Sequence, residues 1–290
     1  MRLSSLGSGS DGNSVLVEAG ATRVLVDAGF SARDLTRRLL QVSVRPESIR
    51  AIIVTHDHGD HARGAGVFAR QHQTPVYMTR RTQEACASLL HGSETTVSYE
   101  PGRPFMIGGI RVEPFLTAHD AAEPVGVALI DESSGLRVGV ATDLGRATVQ
   151  TRHGLSNADF LVLEANHDEG MLREASYPWS VKQRIASTHG HLSNNAAARL
   201  AAELVHPGLT GILLAHLSAE CNRPELARRV VWRALSKVGY RGFLGVAKQD
   251  EPTPLLDVQA LRRRMSPQQL SLFDDPSSSG KTTQVAEPTR

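Results

Sequence analysis

Cysteine is scarce in this sequence, and long apolar runs are absent from it. Only two of the 290 residues are cysteines, Cys86 and Cys221, which stand far apart and in no metal-binding spacing. Such usage argues against a disulfide framework and fits a reducing cytoplasm. The first residues lack the apolar stretch of a signal peptide, and no apolar run approaches membrane-spanning length. We therefore expect a soluble, cytoplasmic protein with no membrane partner.

A strong charge of either sign is lacking too. The formal net charge is +2, which is too small to indicate nucleic-acid binding by itself. Hydrophobic residues make up 40% of the chain and charged residues 21%, an ordinary globular composition that can bury a substantial core. The twelve histidines are the better lead, because several stand in acidic or glycine-bordered turns.

Short strands and helices follow one another along most of the chain. Ser14–Ala19 and Arg23–Ala28 predict a β-hairpin, and Ser31 is expected to cap a helix through Leu40. Further strands are predicted at Ile49–Thr55, Pro75–Met78, Ile110–Phe115, Val125–Ile130, Arg137–Ala141, Phe160–Glu164 and Gly211–Ala215, and further helices at Gly64–His72, Thr82–Leu90, Asn194–Val205 and Pro224–Val238. This order predicts two packed sheets with helices outside.

The composition changes near residue 250, so we expect one domain over residues 1–250. Leu256–Met265 is predicted as a short helix, and Ser266–Arg290 is rich in Ser, Thr, Pro and Gln. A segment with so few apolar groups does not offset the entropy lost on ordering. Residues 251–290 are therefore expected to form a short helix and a flexible tail.

The run His56-Asp57-His58-Gly59-Asp60-His61 follows the predicted strand Ile49–Thr55 directly. Imidazole and carboxylate are natural ligands of zinc and related divalent ions. His56 and His58 point the same way in an extended turn, and Asp60 and His61 follow the Gly59 bend. The alternative is a solvated, histidine-rich turn, which this spacing makes the weaker interpretation.

The run resembles the HxHxDH signature of the metallo-β-lactamase superfamily. Three later segments resemble its remaining ligand motifs in the same order: Thr117-Ala118-His119, Ala141 to Gly145, and Leu214 to Ser218. The resemblance implies an α/β (α+β) fold, the metallo-β-lactamase αββα four-layer sandwich, and two divalent ions, zinc or manganese. It implies one ion on His56, His58, His119 and Asp143, and the other on Asp60, His61, His216 and the shared Asp143. Asp27 resembles an aspartate behind the ligands, although a turn aspartate is an equal alternative.

Two further segments narrow the resemblance. His191 in the run His189 to Ser193 resembles the HxS/T histidine of ribonuclease Z-like phosphodiesterases, which protonates the leaving oxygen. With Leu163 to Asp168 and the AHLS segment, this run resembles the YycJ (WalJ) family, described as 5′-to-3′ exonucleases of double-stranded DNA. Cys221 departs from that pattern, which has asparagine there. Because the β-CASP domain of RNA-processing relatives and the tRNA-binding arm of ribonuclease Z are missing, DNA is the favoured substrate.

The implied chemistry is a phosphodiester hydrolysis in DNA repair. A hydroxide held between two metal ions is the nucleophile, Asp60 steadies or deprotonates that water, and His191 is the general acid. Glu164 is the candidate to orient His191, with a surface carboxylate as the alternative. His167 and His189 are weaker candidates: each is either a substrate contact or a polar loop residue, and the second interpretation is favoured for His189. Ser8, Asp11 and Asn13 stand in a Gly/Ser-rich loop that we expect to reach the rim of the site.

The predicted tail contains an apolar island, Gln269-Leu270-Ser271-Leu272-Phe273. It resembles the QL(S/D)LF peptide with which bacterial replication and repair proteins bind the sliding clamp. A glutamine anchor with Leu and Phe in a flexible tail suits docking in an apolar groove. The alternative is a hydrophobic cluster that packs back on the domain.

Two other functions stay open at this point. The first is a small-molecule hydrolase of the same fold, such as a thioesterase or lactonase, or a ribonuclease Z-like RNase. The second is a non-enzymatic, clamp-docked adaptor whose metal site is structural. A structural site is usually closed by protein ligands, which disfavours the adaptor.

Overall fold

Two mixed sheets of seven strands each form the centre of the molecule. The computed structural model describes residues 1–265. The strands are Arg2–Gly7 (β1), Ser14–Ala19 (β2), Thr22–Val26 (β3), Ala51–Ile53 (β4), Val76–Thr79 (β5), Thr96–Tyr99 (β6), Phe105–Ile107 (β7), Ile110–Leu116 (β8), Val125–Asp131 (β9), Arg137–Ala141 (β10), Phe160–Glu164 (β11), Gly211–Ala215 (β12), Phe243–Val246 (β13) and Leu256–Asp257 (β14). The first sheet has the order β14-β1-β2-β3-β4-β5-β6, and the second has the order β13-β12-β11-β10-β9-β8-β7.

Helices cover the outer faces of both sheets. They are Ala32–Gln41 (α1), Gly59–Ala62 (α2), Ala65–His72 (α3), Arg80–Ala85 (α4), Val149–Leu155 (α5), Glu169–Glu174 (α6), Trp179–Ile185 (α7), Asn194–Glu203 (α8), Pro224–Lys237 (α9) and Val258–Met265 (α10), with a 3₁₀ turn at Pro46–Ser48. The hydroxyl of Ser31 accepts a hydrogen bond from the Asp34 backbone N–H, and that of Ser193 accepts one from Ala196, so both serines cap helices as expected. None of the described helices is long and apolar enough to cross a bilayer.

The apolar side chains form three clusters, which correspond to the three contacts between four layers. Alternation along β2 shows how one strand serves two of them: Val15 and Val17 face the second sheet, while Leu16 faces the helices. Leu35 and Phe68 pack from α1 and α3 against the first sheet. The second sheet is covered by α5, α8 and α9 through a cluster that includes Leu155, Ala197, Ala201, Val231 and Leu235. The predicted αββα sandwich is confirmed.

Parallel strands bring distant chain segments to one edge of the second sheet. β10, β11 and β12 run parallel, with Ala141 opposite Leu163 and Glu164 opposite Ala215. The residues that follow these strands therefore emerge side by side, among them Asp143 and His216. In the first sheet β3 and β4 are also parallel, so Asp27 and the histidine run leave that sheet together.

Several predicted elements differ from the observed ones. The sequence pattern predicts neither a strand nor a helix at Arg2–Gly7, but this segment is an inner strand of the first sheet. The strand predicted at Ile49–Thr55 is confined to Ala51–Ile53, because the 3₁₀ turn occupies the preceding residues. The helix predicted at Thr82–Leu90 is Arg80–Ala85, since the Thr79 hydroxyl caps it three residues earlier.

The packed part of the chain extends past the boundary expected at residue 250. Leu256 pairs with Leu3 in β14, where the sequence predicted a helix from Leu256 onward, and the helix starts at Val258. The backbone N–H of Thr253 also donates to the Ser5 carbonyl at 2.8 Å, and Val258 is fully buried. The clamp-like peptide at residues 269–273 lies outside the described residues.

Candidate metal centre and catalytic pocket

The histidine run forms a compact group of imidazoles at the end of β4. His56 and His58 have ring centroids 4.7 Å apart, and His56 and His61 have centroids 4.1 Å apart. Asp60 and His61 lie on the one-turn helix α2, which begins immediately after His58. His56 and His61 are buried, whereas His58 and Asp60 are partly exposed.

The three later ligand candidates reach this group from the second sheet. His119 Nε2 lies 3.3 Å from His58 Nδ1, and His216 Nε2 lies 3.3 Å from Asp60 Oδ2. Asp143 stands between them, with Oδ1 3.5 Å from His119 Nε2 and Oδ2 3.1 Å from His61 Nε2. The structure thus brings all seven predicted metal ligands together, from positions spread over 160 residues of sequence.

The spacing of these donor atoms fits a divalent metal ion. Zinc binds nitrogen at about 2.0–2.1 Å in tetrahedral geometry, which separates neighbouring ligand atoms by about 3.3–3.4 Å. The ligand atoms of His56, His58 and His119 lie within 4.8 Å of one another, and so do those of Asp60, His61 and His216. His56 Nε2 and Asp143 Oδ2 are buried without a hydrogen-bond partner among the described residues. Buried polar atoms rarely lack partners, so these two atoms fit the role of ligands.

Hydrogen bonds at Nδ1 orient three of the imidazoles. His61 Nδ1 lies 2.8 Å from Asp27 Oδ2, and His119 Nδ1 donates to the Gly190 carbonyl at 3.0 Å. His216 Nδ1 lies 3.1 Å from Glu164 Oε1. Each bond leaves Nε2 free to face the centre, which is the usual arrangement behind a metal-binding histidine. Asp27 additionally accepts the Thr55 backbone N–H at 2.8 Å, so it contacts both the residue before the run and one imidazole of the run, that of His61.

Backbone conformation marks the same site. Asp27, Asp143 and His216 have positive φ values of 66°, 59° and 55°. Each follows a strand by one or two residues. Residues other than glycine seldom adopt this left-handed region, and such outliers cluster at functional sites. The turns direct all three side chains away from their strands.

The charges of the group favour a bound cation. Burial opposes the charged form of His61, yet the carboxylates of Asp143 and Asp27 raise its pKa well above the ordinary value. Burial likewise opposes the charged form of His216, but Asp143 and Asp60 raise its pKa to about 10. Burial and the nearby His61 instead lower the pKa of His56 well below its ordinary value. The negative potential of these carboxylates attracts protons and divalent ions alike. Protons and metal ions therefore compete for the imidazole nitrogens.

Glu164 is a buried acceptor of four hydrogen bonds. Its Oε1 lies 2.8 Å from His191 Nδ1, and its Oε2 accepts the backbone N–H groups of Leu144 and Leu192 at 2.9 Å. Burial would raise the pKa of this carboxyl, but His191 and His216 lower it to about 2. The complete burial of Glu164 excludes the alternative of a surface carboxylate.

A cavity of about 200 Å³ opens over the ligand group. His191 lines it and is 19% exposed at the side chain. Four of the predicted ligands also line it, namely His58, Asp60, Asp143 and His216, and so do six residues that sequence analysis did not select: Ser10, Asn166, Tyr177, Arg184, Ile185 and Ser218.

The N-terminal loop supports the centre from the other side. The Ser8 hydroxyl accepts the His216 backbone N–H at 2.8 Å and donates to Asn13 Oδ1 at 2.8 Å. Asn13 Nδ2 in turn donates to Asp60 Oδ2 at 3.2 Å. Asp11 is exposed, and its backbone groups contact Gln249 and Arg63 rather than the ligands. Ser8 and Asn13 therefore lie behind the site, and Asp11 lies apart from it.

The remaining candidates lie outside the cavity. His167 is buried, 3% exposed, and does not line it. His189 is exposed, and its carbonyl accepts the Asp120 backbone N–H. Asparagine was expected at Cys221, and the next residue, Asn222, is a buried asparagine whose Nδ2 donates to the Ala165 carbonyl at 2.8 Å.

Comparison with known proteins agrees with this geometry. Residues 22–212 match the family model for the Beta-lactamase superfamily domain. The chain is 36% identical to exodeoxyribonuclease YycJ of Bacillus anthracis over 242 residues, which cover 83% of this chain and 91% of that protein. It is 34% identical to exodeoxyribonuclease WalJ of Streptococcus pneumoniae over 265 residues, 89% of this chain and 98% of that one. The chain belongs to the YycJ/WalJ family of the metallo-β-lactamase superfamily.

Membership confirms the predicted family and the predicted enzyme class, a metal-dependent hydrolase. The fold is also that of the metallo-β-lactamase fold protein YhfI from Bacillus subtilis. That crystal structure superposes with a TM-score of 0.67 at 20% identity, over 87% of this chain and 98% of YhfI.

Proposed function

We propose that this protein is a cytoplasmic two-metal phosphodiesterase, a 5′-to-3′ exonuclease of double-stranded DNA that acts in DNA repair. The observation that carries the proposal is that the ligand candidates and His191 meet at one cavity. Four of the seven ligand candidates line it, and so does His191, which is paired with the buried Glu164 and has Nδ1 3.6 Å from Asp143 Oδ1. The exodeoxyribonuclease relatives supply the substrate class.

Seven side chains would hold two divalent ions, zinc or manganese. His56, His58, His119 and Asp143 would hold one, and Asp60, His61, His216 and Asp143 the other. Bound together, two such ions activate water at neutral pH and neutralise charge on a phosphoryl group during in-line displacement. Asp143 suits the shared position, because its two oxygens face different imidazoles, His119 and His61.

His191 has the geometry of a general acid. When the imidazole is doubly protonated, Nδ1–H donates to Glu164 Oε1 at 2.8 Å and the proton on Nε2 is the one available for transfer. Nε2–H would pass to the departing 3′ or 5′ oxygen as the P–O bond breaks, a role worth about 10²–10⁴-fold in rate. Asp60, which also lines the cavity, would steady the attacking water through its carboxylate.

The decisive experiment compares substrate classes. Purified protein with Mn²⁺ or Zn²⁺ is incubated with 5′- and 3′-end-labelled DNA duplexes, a tRNA precursor and generic esters. The proposal expects stepwise loss of nucleotides from the 5′ end of the duplex. Selective cleavage of the tRNA precursor would establish the ribonuclease alternative, and turnover of esters alone the small-molecule hydrolase. A protein that holds metal and binds the clamp but cleaves none of these substrates would establish the adaptor.

We also propose that Gln269, Leu270, Ser271, Leu272 and Phe273 bind the sliding clamp. The support is the sequence pattern and the proposed work on DNA. A labelled peptide of residues 266–276 is expected to bind purified clamp, and the Phe273→Ala peptide is expected not to bind. Equal binding of the two peptides would dismiss the idea.

A further inference from the structure

The segment that contains α6 and α7 forms one wall of the catalytic cavity. Tyr177 lies just before α7, and Arg184 and Ile185 lie at its end; all three line the cavity together with Asp60 and His58. No residue of α7 is buried. This wall therefore presents side chains to whatever enters the cavity.

Arg184 is the only lysine or arginine among the described residues that line the cavity. Its Nε donates to Asp120 Oδ2 at 2.5 Å, and Asp120 is fixed by its own backbone N–H bond to the His189 carbonyl at 3.0 Å. A guanidinium has five N–H groups, and this bond uses one of them. Its side chain is 62% exposed, so the two amino groups are available to a ligand while Asp120 fixes their direction.

The charges around Arg184 indicate an anionic ligand. The other ionised groups in the cavity wall include the carboxylates of Asp60 and Asp143, which repel a polyanionic strand wherever metal ions do not face it. Asp120, which accepts from Arg184, has its Oδ1 3.3 Å from His119 Nε2, so a strand with one phosphate at the ligand group would have a neighbouring phosphate near Arg184. Arginine suits that position because its amino groups bind phosphate oxygens in pairs.

Tyr177 supplies an aromatic surface beside this cation. It lines the cavity together with Ser218, which lies two residues after His216. The ring therefore lies close to the loop that carries a ligand candidate. Aromatic rings stack on nucleobases with little regard for sequence.

We infer that Arg184 and Tyr177 form a nucleotide subsite, in which Arg184 holds the phosphate next to the bond that is cut and Tyr177 stacks on a base. The inference rests on the proposed nuclease function. A cavity of about 200 Å³ is too small for a duplex, so the subsite takes the end of one strand. An exonuclease that removes nucleotides from a strand end needs a site that binds the terminal nucleotide.

Binding without turnover tests the subsite. Anisotropy of a labelled DNA with a single-stranded end, protected from hydrolysis by phosphorothioate linkages, is measured with Mn²⁺ present across a salt series. Arg184→Gln is expected to weaken binding at least tenfold and to reduce the slope of log Kd against log salt by about one, the effect of one lost phosphate contact. Arg184→Lys should keep the slope and lose less affinity. The control is Arg103→Gln, since Arg103 is an exposed arginine that also pairs with one carboxylate, that of Glu100, but lines a different cavity.

Tyr177 is tested in the same assay. Tyr177→Phe keeps the ring and is expected to bind within about threefold of the parent, whereas Tyr177→Ala is expected to lose about 5- to 100-fold, the range of one base stack. In turnover assays both Arg184→Gln and Tyr177→Ala should raise KM far more than they lower kcat. Unchanged affinity and slope in Arg184→Gln, in a protein that cleaves DNA, would overturn the subsite alone. A parent protein that neither binds nor cleaves DNA would overturn the proposed function as well.

Discussion

Glu164 Oε1 lies 2.8 Å from His191 Nδ1, and the same oxygen lies 3.1 Å from His216 Nδ1. One buried carboxylate thus orients the proposed general acid and a proposed metal ligand. The two imidazoles have ring centroids 5.2 Å apart, so the acid sits at a fixed place beside the ligand group. The proposed proton donor and a proposed metal ligand therefore depend on the same side chain, Glu164, for their orientation.

Glu164→Gln should impair both roles. Glutamine has one acceptor oxygen where Glu164 uses two to accept four hydrogen bonds, so buried donors lose their partners at about 1–3 kcal/mol each. We expect kcat to fall about 10- to 100-fold, metal affinity to fall in a similar range, and Tm to drop. Steady-state kinetics, metal titration and thermal melts measure these effects. Glu174→Gln, an exposed glutamate on the neighbouring helix, is the control, and equal effects of both changes would contradict the prediction.

His191→Ala should separate the acid from the metal. His191 lines the cavity, but none of the seven ligand candidates depends on it for a hydrogen bond. We expect the variant to keep its metal content, measured by elemental analysis, while kcat on DNA falls about 10²–10⁴-fold. Undiminished cleavage would remove His191 from the mechanism.

The convergence of the seven ligand candidates was predictable because each motif is local in sequence and chemically specific. The same holds for the caps Ser31 and Ser193, and for β11 and β12, whose observed bounds coincide with the predicted ones. Tyr177 and Arg184 carry no such signal, since their place depends on how α7 crosses the cavity.

Strand β1 was missed because Ser4 and Ser5 look like loop residues. Both are fully buried, and Ser4 Oγ donates to the Thr253 carbonyl, 249 positions away. Strand formation there depends on a distant partner, which local propensity cannot reveal.

Gly29→Ala should disrupt the metal centre through packing alone. A Cβ at Gly29 would lie 1.6 Å from the Asp60 carbonyl oxygen, which is backbone and cannot move without displacing the histidine run. We expect a lower Tm and weaker metal binding, with a cost of at least the 1–3 kcal/mol typical of overpacking. A Cβ at Gly59 meets nothing within 4 Å, so Gly59→Ala should leave Tm nearly unchanged despite its place in the run. The reverse order of the two melting temperatures would contradict the packing argument.

Metal removal should destabilise the fold. Ions that bind only the folded state add free energy of unfolding according to their concentration and affinity, so chelation should lower Tm and added Zn²⁺ or Mn²⁺ should restore it. Asp27→Asn, which weakens the bond that orients His61, should shift the restoring metal concentration upward by about 10- to 100-fold. A Tm that does not respond to chelator or metal would argue against a centre that binds ions in the folded protein.

The ion pair between Asp34 and Arg38 predicts how stability depends on pH away from the metal centre. Burial would raise the pKa of Asp34, but the hydrogen bonds from Arg38 and Arg37 lower it below the ordinary value. A carboxyl whose pKa is depressed on folding stabilises the protein above its unfolded pKa of about 3.9, and this stabilisation is lost as pH falls through the lower folded pKa. The buried Arg38 guanidinium also donates to the Leu6 carbonyl at 2.7 Å, just before the loop behind the site.

Asp34→Asn should therefore lower the free energy of unfolding at pH 6, and the difference from the parent should disappear in strongly acidic solution, where Asp34 is protonated in both states. Urea titrations between pH 6 and pH 2 measure the difference. Asp11→Asn is the control, because the Asp11 carboxylate makes no hydrogen bond among the described residues, and it should follow the parent at every pH. If the gap between Asp34→Asn and the parent stays constant or widens as pH falls, ionisation of Asp34 is not what stabilises the pair.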